Sequence, residues 1–444
     1  MTSESRTTKK QSGGVLASLQ RIGRSLMLPI AALPAAGILL RIGQADMLGK
    51  DGLGQFAGWL NPVADIFAAA GNALFGNLAL IFALGVAVGF AKKSEGATAL
   101  AAFIGIMVFQ GVGNAVLPYL PYMPGYGGEE ALVMNYGVLG GIIMGVIAAL
   151  LYDKYYRIKL PTFLAFFGGR RFVPIITAAV AVVVGVVLAL VYPFFAIAFN
   201  AVGEWITNPS VGVFGAFVYG FANRMLIPFG LHHILNSFPW FMFGSFTAAD
   251  GVEYQGDIAR FLHHDPTAGT FMTGFFPILM FALPAAALAM WHAARPENRK
   301  AVGGVMISTA LTAFITGITE PIEFSFVYVA FPLYVVHAVL TGSSLALCNA
   351  LGIKDGFSFS AGGTDLLLNW GIATKPWLLV IIGLIYAAVY YVLFRILIKV
   401  FNMKTPGRED EGAEAGNAVQ SIIDQDMTPT TKTEAGATGA ARAV

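Results

Sequence analysis

Between Phe172 and Gly203 the chain carries no acidic or basic side chain. A helix needs roughly 20 apolar residues to cross the hydrocarbon core of a bilayer, and this run exceeds that length. Comparable runs lie near 25–40, 76–91, 98–118, 137–152, 211–222, 270–291, 301–319, 324–353 and 376–394. With 57% hydrophobic and 12% charged residues over 444 positions, a soluble fold has no way to cover its apolar surface. The expected fold class is an all-α polytopic membrane protein.

The charges then orient the spans. Met1 to Gly14 is polar and the first apolar run follows Arg21 and Arg24, so no cleavable signal peptide is expected and the first span stays as an anchor. Lys9, Lys10, Lys92, Lys93, Lys154, Arg157, Lys159, Arg170 and Arg171 mark one side of the membrane. The segment Pro118 to Tyr136 holds Glu129 and Glu130 with no Lys or Arg. The positive-inside rule puts the N-terminus in the cytoplasm and that acidic loop outside. Arg295, Arg299 and Lys300 mark a further cytoplasmic turn, and Arg395, Lys399, Lys404 and Arg408 place the C-terminus inside. The net charge of +2 is thus a topological signal, not a nucleic-acid signal. Tyr119, Tyr122 and Tyr126 fit an interfacial aromatic belt, and Ile158 to Arg171 reads as a short interfacial segment with basic ends. Past Phe401 the chain turns to Ala, Gly, Thr and acidic residues, too poor in apolar bulk to offset the entropy of ordering, so 402–444 reads as a disordered tail.

Four polar islands interrupt the apolar sequence of the second half. Phe221 to Asn236 sets Asn223, Arg224, His232, His233 and Asn236 in apolar surroundings, with Pro228 and Gly230 breaking the helix between Arg224 and His232. An arginine that snorkels and histidines that pack are the bland alternative, but clustering at a helix break favours a cavity. Gly317 to Phe324 places Glu320, Pro321 and Glu323 between apolar runs. Charge at membrane depth is costly unless it is used or paired, and broken helices are how transporters build midplane sites. Pro321 suits a first helical turn, with Glu320 as the cap and Glu323 as the acid of a capping box. On this reading Glu323 is structural and Glu320 is left to meet a substrate hydroxyl or Arg224. Tyr254 to Gly269 holds His263, His264, Asp257 and Asp265, but adjacent histidines do not share a helix face; a loop closing over a cavity is expected there rather than a metal site. Lys354 to Asp365 alternates Phe357 and Phe359 with Ser358 and Ser360. Rings beside hydroxyls suit a sugar's apolar faces and polar edges, and a plain Gly/Ser loop is the alternative. Neither glycine-rich element follows a strand, so nucleotide binding is not expected, and no cofactor is.

Asn223-Arg224-Met225-Leu226-Ile227-Pro228 with Gly230-Leu231-His232, Asp265-Pro266-Thr267-Ala268-Gly269, Gly317 to Phe324, and Gly356-Phe357-Ser358-Phe359-Ser360 together resemble the membrane (IIC) component of the phosphoenolpyruvate:sugar phosphotransferase system, glucose superfamily. The likeness runs from about Arg21 to Asp410. Lys159-Leu160-Pro161, Phe166 to Gly169 and Lys404 to Asp410 look closest to its N-acetylglucosamine-specific branch; the glucose branch shares much of this pattern.

The resemblance implies an elevator-type homodimer with about ten transmembrane helices and two re-entrant hairpins per subunit, in a bacterial cytoplasmic (inner) membrane. Residues 1–20 would form a cytoplasmic N-terminal segment, 21–200 the scaffold and dimerisation half, 201–401 the sugar-binding transport half and 402–444 the tail. It further implies that the sugar's 6-hydroxyl is phosphorylated by a phosphocysteine on a IIB protein, itself served by IIA and HPr. Glu320 and His232 would hold or activate that hydroxyl, and Arg224 would orient it or meet the incoming phosphoryl charge. Asn236, Thr319, Phe357 and Ser358 complete the expected substrate-binding set, with Gln255, Asn236 and the Phe357 to Thr364 loop as alternatives for the acetamido group. His233 is the weaker candidate and is read as packing. The single cysteine, Cys348, lies in an apolar run where a thiolate is disfavoured, so the donor is expected to be a separate polypeptide. The alternatives are a glucose-specific IIC permease, an ion-coupled sugar transporter using Glu320 and His232, and a sugar-sensing receptor.

Overall fold

The computed structural model describes residues 21–408, apart from 24, 94, 121–133, 208, 249, 250 and 359. The expected segment 1–20, Arg24, the loop bearing Tyr122, Tyr126, Glu129 and Glu130, Phe359 and the tail from 409 onward lie outside the described residues.

In chain order the helices are α1 Met27–Ile30, α2 Leu33–Ile42, α3 Leu60–Phe75, α4 Leu78–Phe90, α5 Gly96–Val116, α6 Gly137–Tyr155, α7 Phe172–Thr207, α8 Pro209–Leu226, α9 His232–Phe241, α10 Asp257–Leu262, α11 Leu283–Ala293, α12 Arg299–Thr316, α13 Glu320–Val327, α14 Phe331–Ala350, α15 Gly363–Asn369 and α16 Pro376–Val400. A π-helical turn, Pro277–Ala282, leads into α11. Among the described residues the sole sheet is an antiparallel pair, β1 Ser245–Thr247 and β2 Glu253–Gln255, with Phe246 opposite Tyr254.

Among the described residues six helical stretches are long and apolar enough to cross a bilayer: Arg21–Ile42, Gly96–Tyr119, Gly137–Tyr155, Gly169–Ala198, Phe331–Ala350 and Pro376–Val400. A seventh is added if α3 and α4, bent by 55° at their junction, make one broken span. Helix α3 was hidden in the sequence by Asn61, Asp65 and Asn72, which interrupt its apolar pattern. Of the runs expected near 211–222, 270–291 and 301–319, the middle one forms an apolar helix too short to cross, Pro277–Ala293, and the other two form helices of 18 residues that are not apolar enough. Side chains on α7 such as Val183, Val187 and Leu190 are more than half exposed, the surface a lipid-facing helix presents. Phe163 and Phe166, both in the short 3-10 helix Thr162–Phe167 of the basic-ended segment, are also exposed, with Arg171 stacked 4.6 Å over the Phe166 ring.

Two buried clusters hold the molecule together. The first gathers α4, α5, α6 and α7 around Phe82, Phe109, Tyr136 and Tyr152. Helices α4 and α6 touch backbone to backbone, since a Cβ on Gly141 or Gly145 would run into the carbonyls of Ala79 or Ala83. Without water to drive association, such small-residue contacts are what pack helices in lipid. The second cluster is built from the later helices around Phe275, Phe326, Tyr334 and Phe357, and it takes in Leu33, Ala36, Leu40 and Phe75 from early in the chain. Helix α2 is therefore part of the later core: Arg41 donates to the Leu368 carbonyl at 2.8 Å and holds Asp46 through both carboxylate oxygens.

Candidate functional site

Two helix breaks face each other in the second core. Helix α8 stops at Leu226; Ile227–Phe229 makes one tight turn, Gly230 takes φ +67°, and α9 begins at His232. Pro228 supplies the turn's fixed φ, and Gly230 the left-handed conformation that a side chain would resist. Helix α12 ends at Gly317 with φ +73°, and α13 starts three residues later with Glu320 and Pro321 in its first turn. A Cβ on Gly317 would strike Ser360 of the Lys354 to Asp365 loop, so glycine also lets that loop close against the break.

The breaks enclose two abutting cavities of about 260 and 70 Å³ that share Ile227, His232, His233 and Glu320. Together they fall at the lower end of the roughly 300–1,000 Å³ usual for small-molecule sites. The smaller one is lined by Arg224, Asn236, Thr319 and Phe357 as well. The structure thus brings six of the seven expected site residues, Arg224, His232, Asn236, Thr319, Glu320 and Phe357, onto one cavity wall. Ser358 is not among them. Its backbone N–H and hydroxyl both donate to Asp365 Oδ1 at 2.9 Å, which draws the side chain out of the cavity. Ser360 lines the cavity instead and donates to the Gly317 carbonyl at 2.8 Å.

The division of labour between the two glutamates also differs from the expectation. Helix α13 begins with Glu320 itself and its N-cap is Thr319, so Glu320 is not the cap and Glu323 is not the acid of a capping box. Glu323 is fully buried and accepts from Arg224 Nη1 at 2.7 Å and from Thr319 Oγ1 at 3.0 Å. Its Oε1 also stands 3.5 Å from His337 Nε2, and His337 Nδ1 lies 2.9 Å from the Tyr390 hydroxyl. A buried cation needs such a partner, and Glu323 is Arg224's. Glu320 makes a local contact, accepting from the Thr319 N–H at 3.1 Å, and lines both cavities.

Other groups fix the wall. The Arg224 carbonyl accepts from Tyr334 at 2.5 Å, and the guanidinium carbon stands 4.9 Å over the Phe275 ring. Asn236 Oδ1 accepts from Tyr219 at 2.8 Å and from Asn223 at 2.5 Å. His232 Nδ1 and Arg224 Nε are buried without a hydrogen-bond partner among the described residues, so both retain bonding capacity for a ligand. The His232 and His233 rings lie 3.9 Å apart. His337 and Tyr390 carried no signal in the sequence, being single polar groups in apolar helices.

Around Tyr254 to Gly269 the polar groups hold backbone. Asp257 accepts from the N–H groups of Gly269 and Phe271 at 2.8 and 2.9 Å, and Arg260 pairs with Asp265 at 2.6 Å. Among the described residues no group of His, Cys, Asp and Glu has the geometry of a metal site.

The family model for "Phosphotransferase system, EIIC" matches residues 23–342. This chain belongs to that family. The EIIC chain is 54% identical over 404 residues to the N-acetylglucosamine-specific EIIC component of Streptomyces coelicolor, covering 91% of this chain and 95% of that one. It is 47% identical over 403 residues to the N-acetylglucosamine-specific EIICBA component of Escherichia coli, covering 90% of this chain and 58% of the longer relative. A glucose-specific EIICBA component of Staphylococcus carnosus is 44% identical over 423 residues, covering 91% and 62%. With its apolar helices, the EIIC chain is a multi-pass membrane protein and a component of a sugar phosphotransferase system.

Proposed function

We propose that this EIIC chain is the permease subunit that takes up N-acetylglucosamine and presents its 6-hydroxyl, at the cavity of Arg224, His232 and Glu320, to a phosphorylated IIB domain. The observation that carries the reading is the convergence of those three side chains on one cavity in a chain 54% identical to an N-acetylglucosamine-specific EIIC component. Glu320 or His232 accepts the proton of the sugar O6–H. O6 attacks phosphorus, the P–S bond of the IIB phosphocysteine breaks, and the thiolate leaves. Phosphoryl transfer relies on positioning and on cations set where charge spreads, and Arg224, aimed by Glu323, supplies the cation.

The donor cysteine is not in these 444 residues, because Cys348 is buried inside α14. That the Escherichia coli relative is an EIICBA component supports IIB and IIA partners. In the same reading HPr feeds IIA, and two subunits form a homodimer in a bacterial cytoplasmic membrane. Both termini face the cytoplasm by the positive-inside rule. About ten transmembrane helices and two re-entrant hairpins per subunit divide into a scaffold half and a moving sugar-binding half.

The test is phosphorylation of labelled N-acetylglucosamine by vesicles carrying the chain, with phosphorylated IIB added or omitted and unlabelled glucose as competitor. Product that needs IIB and resists glucose supports the proposal. Product displaced by glucose moves the substrate to glucose, and product formed without IIB defeats the mechanism.

A further inference from the structure

A larger cavity, of about 670 Å³, lies on the other side of Trp240. Trp240 lines both it and the Arg224 cavity, so a single indole forms part of the wall of each. The two differ in what else encloses them. The Arg224 cavity continues into the pocket bounded by Gly23, Met27 and the Pro228 turn. The larger one is bounded by Asn72 of α3, Gln110 near the end of α5, Asn135 just ahead of α6, and Gln255 of β2. The basic clusters lie at the opposite ends of α4, α5 and α6, so by the positive-inside rule this cavity opens outward.

Its chemistry is that of a site for a neutral polyol. Four side-chain amides offer both donors and acceptors, and the Trp240 ring, with the ring of Tyr254 that is backed by His263 at 3.4 Å, supplies aromatic surface for sugar C–H groups. Among its described lining residues there is no Lys or Arg, and Glu253 is the one carboxylate, which disfavours an anionic ligand. Asn72 Oδ1 is buried without a hydrogen-bond partner among the described residues. Asn135 Nδ2 donates to Gln255 Oε1 at 3.1 Å, tying the start of α6 to the β-hairpin across the cavity. The indole is held by Phe357, edge-on at 5.1 Å between centroids, and by its N–H to the Phe271 carbonyl at 3.4 Å.

We propose that this amide-lined cavity is a second sugar site, an outer vestibule where a neutral pyranose docks before it passes Trp240 to the Arg224 cavity. The choice of N-acetylglucosamine as probe rests on the function proposed above; the site itself rests on the cavity.

The experiment labels a Gln110→Cys variant, in a Cys348→Ala and Glu320→Gln background, with a membrane-impermeant maleimide applied to right-side-out vesicles. At N-acetylglucosamine about ten times its Kd, occupancy slows labelling about tenfold. Adding Asn72→Leu should abolish that protection while leaving the labelling rate without sugar unchanged. A Gln110→Cys protein that is not labelled from the outer face, or whose labelling is indifferent to sugar, overturns the proposal. Phosphorylation by the chain with Glu320 intact is read in parallel. Protection without phosphorylation keeps the vestibule and defeats the functional reading, whereas phosphorylation without protection does the reverse.

Discussion

Glu323→Gln tests the buried arrangement behind the site. Arg224 and Glu323 stand 2.7 Å apart at side-chain exposures of 7% and 0%. At an effective dielectric constant of about 20, charges at that distance attract by about 6 kcal/mol, most of which offsets the cost of taking both out of water. Removing one charge leaves the other desolvated and unpaired, which costs about 3–5 kcal/mol in buried pairs. Glutamine keeps an oxygen for Arg224 and Thr319, so the expected loss is about 3 kcal/mol, the lower end of that range. Unfolding titrated with SDS in mixed micelles measures it. The double variant Arg224→Gln/Glu323→Gln should recover most of the loss, because no lone charge remains. Its phosphoryl transfer should stay down by about 10²-fold, the usual effect of losing one group that stabilises transition-state charge. A Glu323→Gln protein within about 0.5 kcal/mol of the parent, or a double variant as unstable as the two singles added, would refute the reasoning.

Glu320→Gln and His232→Ala should each cut IIB-dependent phosphorylation by about 10²–10⁴-fold, the range for general acid–base groups, in a vesicle assay at saturating sugar; sugar phosphate at the parent rate from Glu320→Gln would remove it from the reaction. Ser358→Ala should cost about 1 kcal/mol through the lost bond from its hydroxyl to Asp365, the backbone N–H bond being kept, and leave the KM for sugar unchanged, whereas a raised KM would return Ser358 to the cavity wall. His337→Phe should lower kcat with little change in KM, since His337 acts on Arg224 through Glu323, and Tyr390→Phe should do the same more weakly. At Asp46, outside the spans, burial opposes the charge, but hydrogen bonds and the charge of Arg41 outweigh it and hold the carboxyl below its ordinary value. The stability this pair adds is therefore full above the unfolded-state pKa and is lost as pH falls through the folded one. Asp46→Asn should flatten that acid limb in a thermal melt, and an unchanged limb would count against the pairing.

Much of the site was legible because its backbone devices are local. Pro228 with Gly230, and Gly317 with Pro321, announce two helix breaks in sequence, and charge beside a break in apolar surroundings points to use. What could not be read is what depends on distance. Arg224 and Glu323 are 99 positions apart, so spacing alone assigned Glu323 to a local cap. Ser358 and Ser360 look equivalent until Asp365 claims the first. His337 is one imidazole in the apolar helix α14, and nothing local marks it as standing behind Glu323. The same limit applies to the fold. Helix α2 reads as part of the first half, yet Arg41 and Leu40 pack into the later core, because the chain returns to it some 300 residues on.

The most direct measurement is the structure of the full chain in lipid with N-acetylglucosamine bound. The account predicts that the sugar O6 sits within about 2.6–3.2 Å of Glu320 or His232, the reach a general base requires, with the Arg224 guanidinium beside it and the pyranose ring against Phe357. A sugar whose 6-hydroxyl points away from all three side chains, with its ring in contact elsewhere, would contradict it.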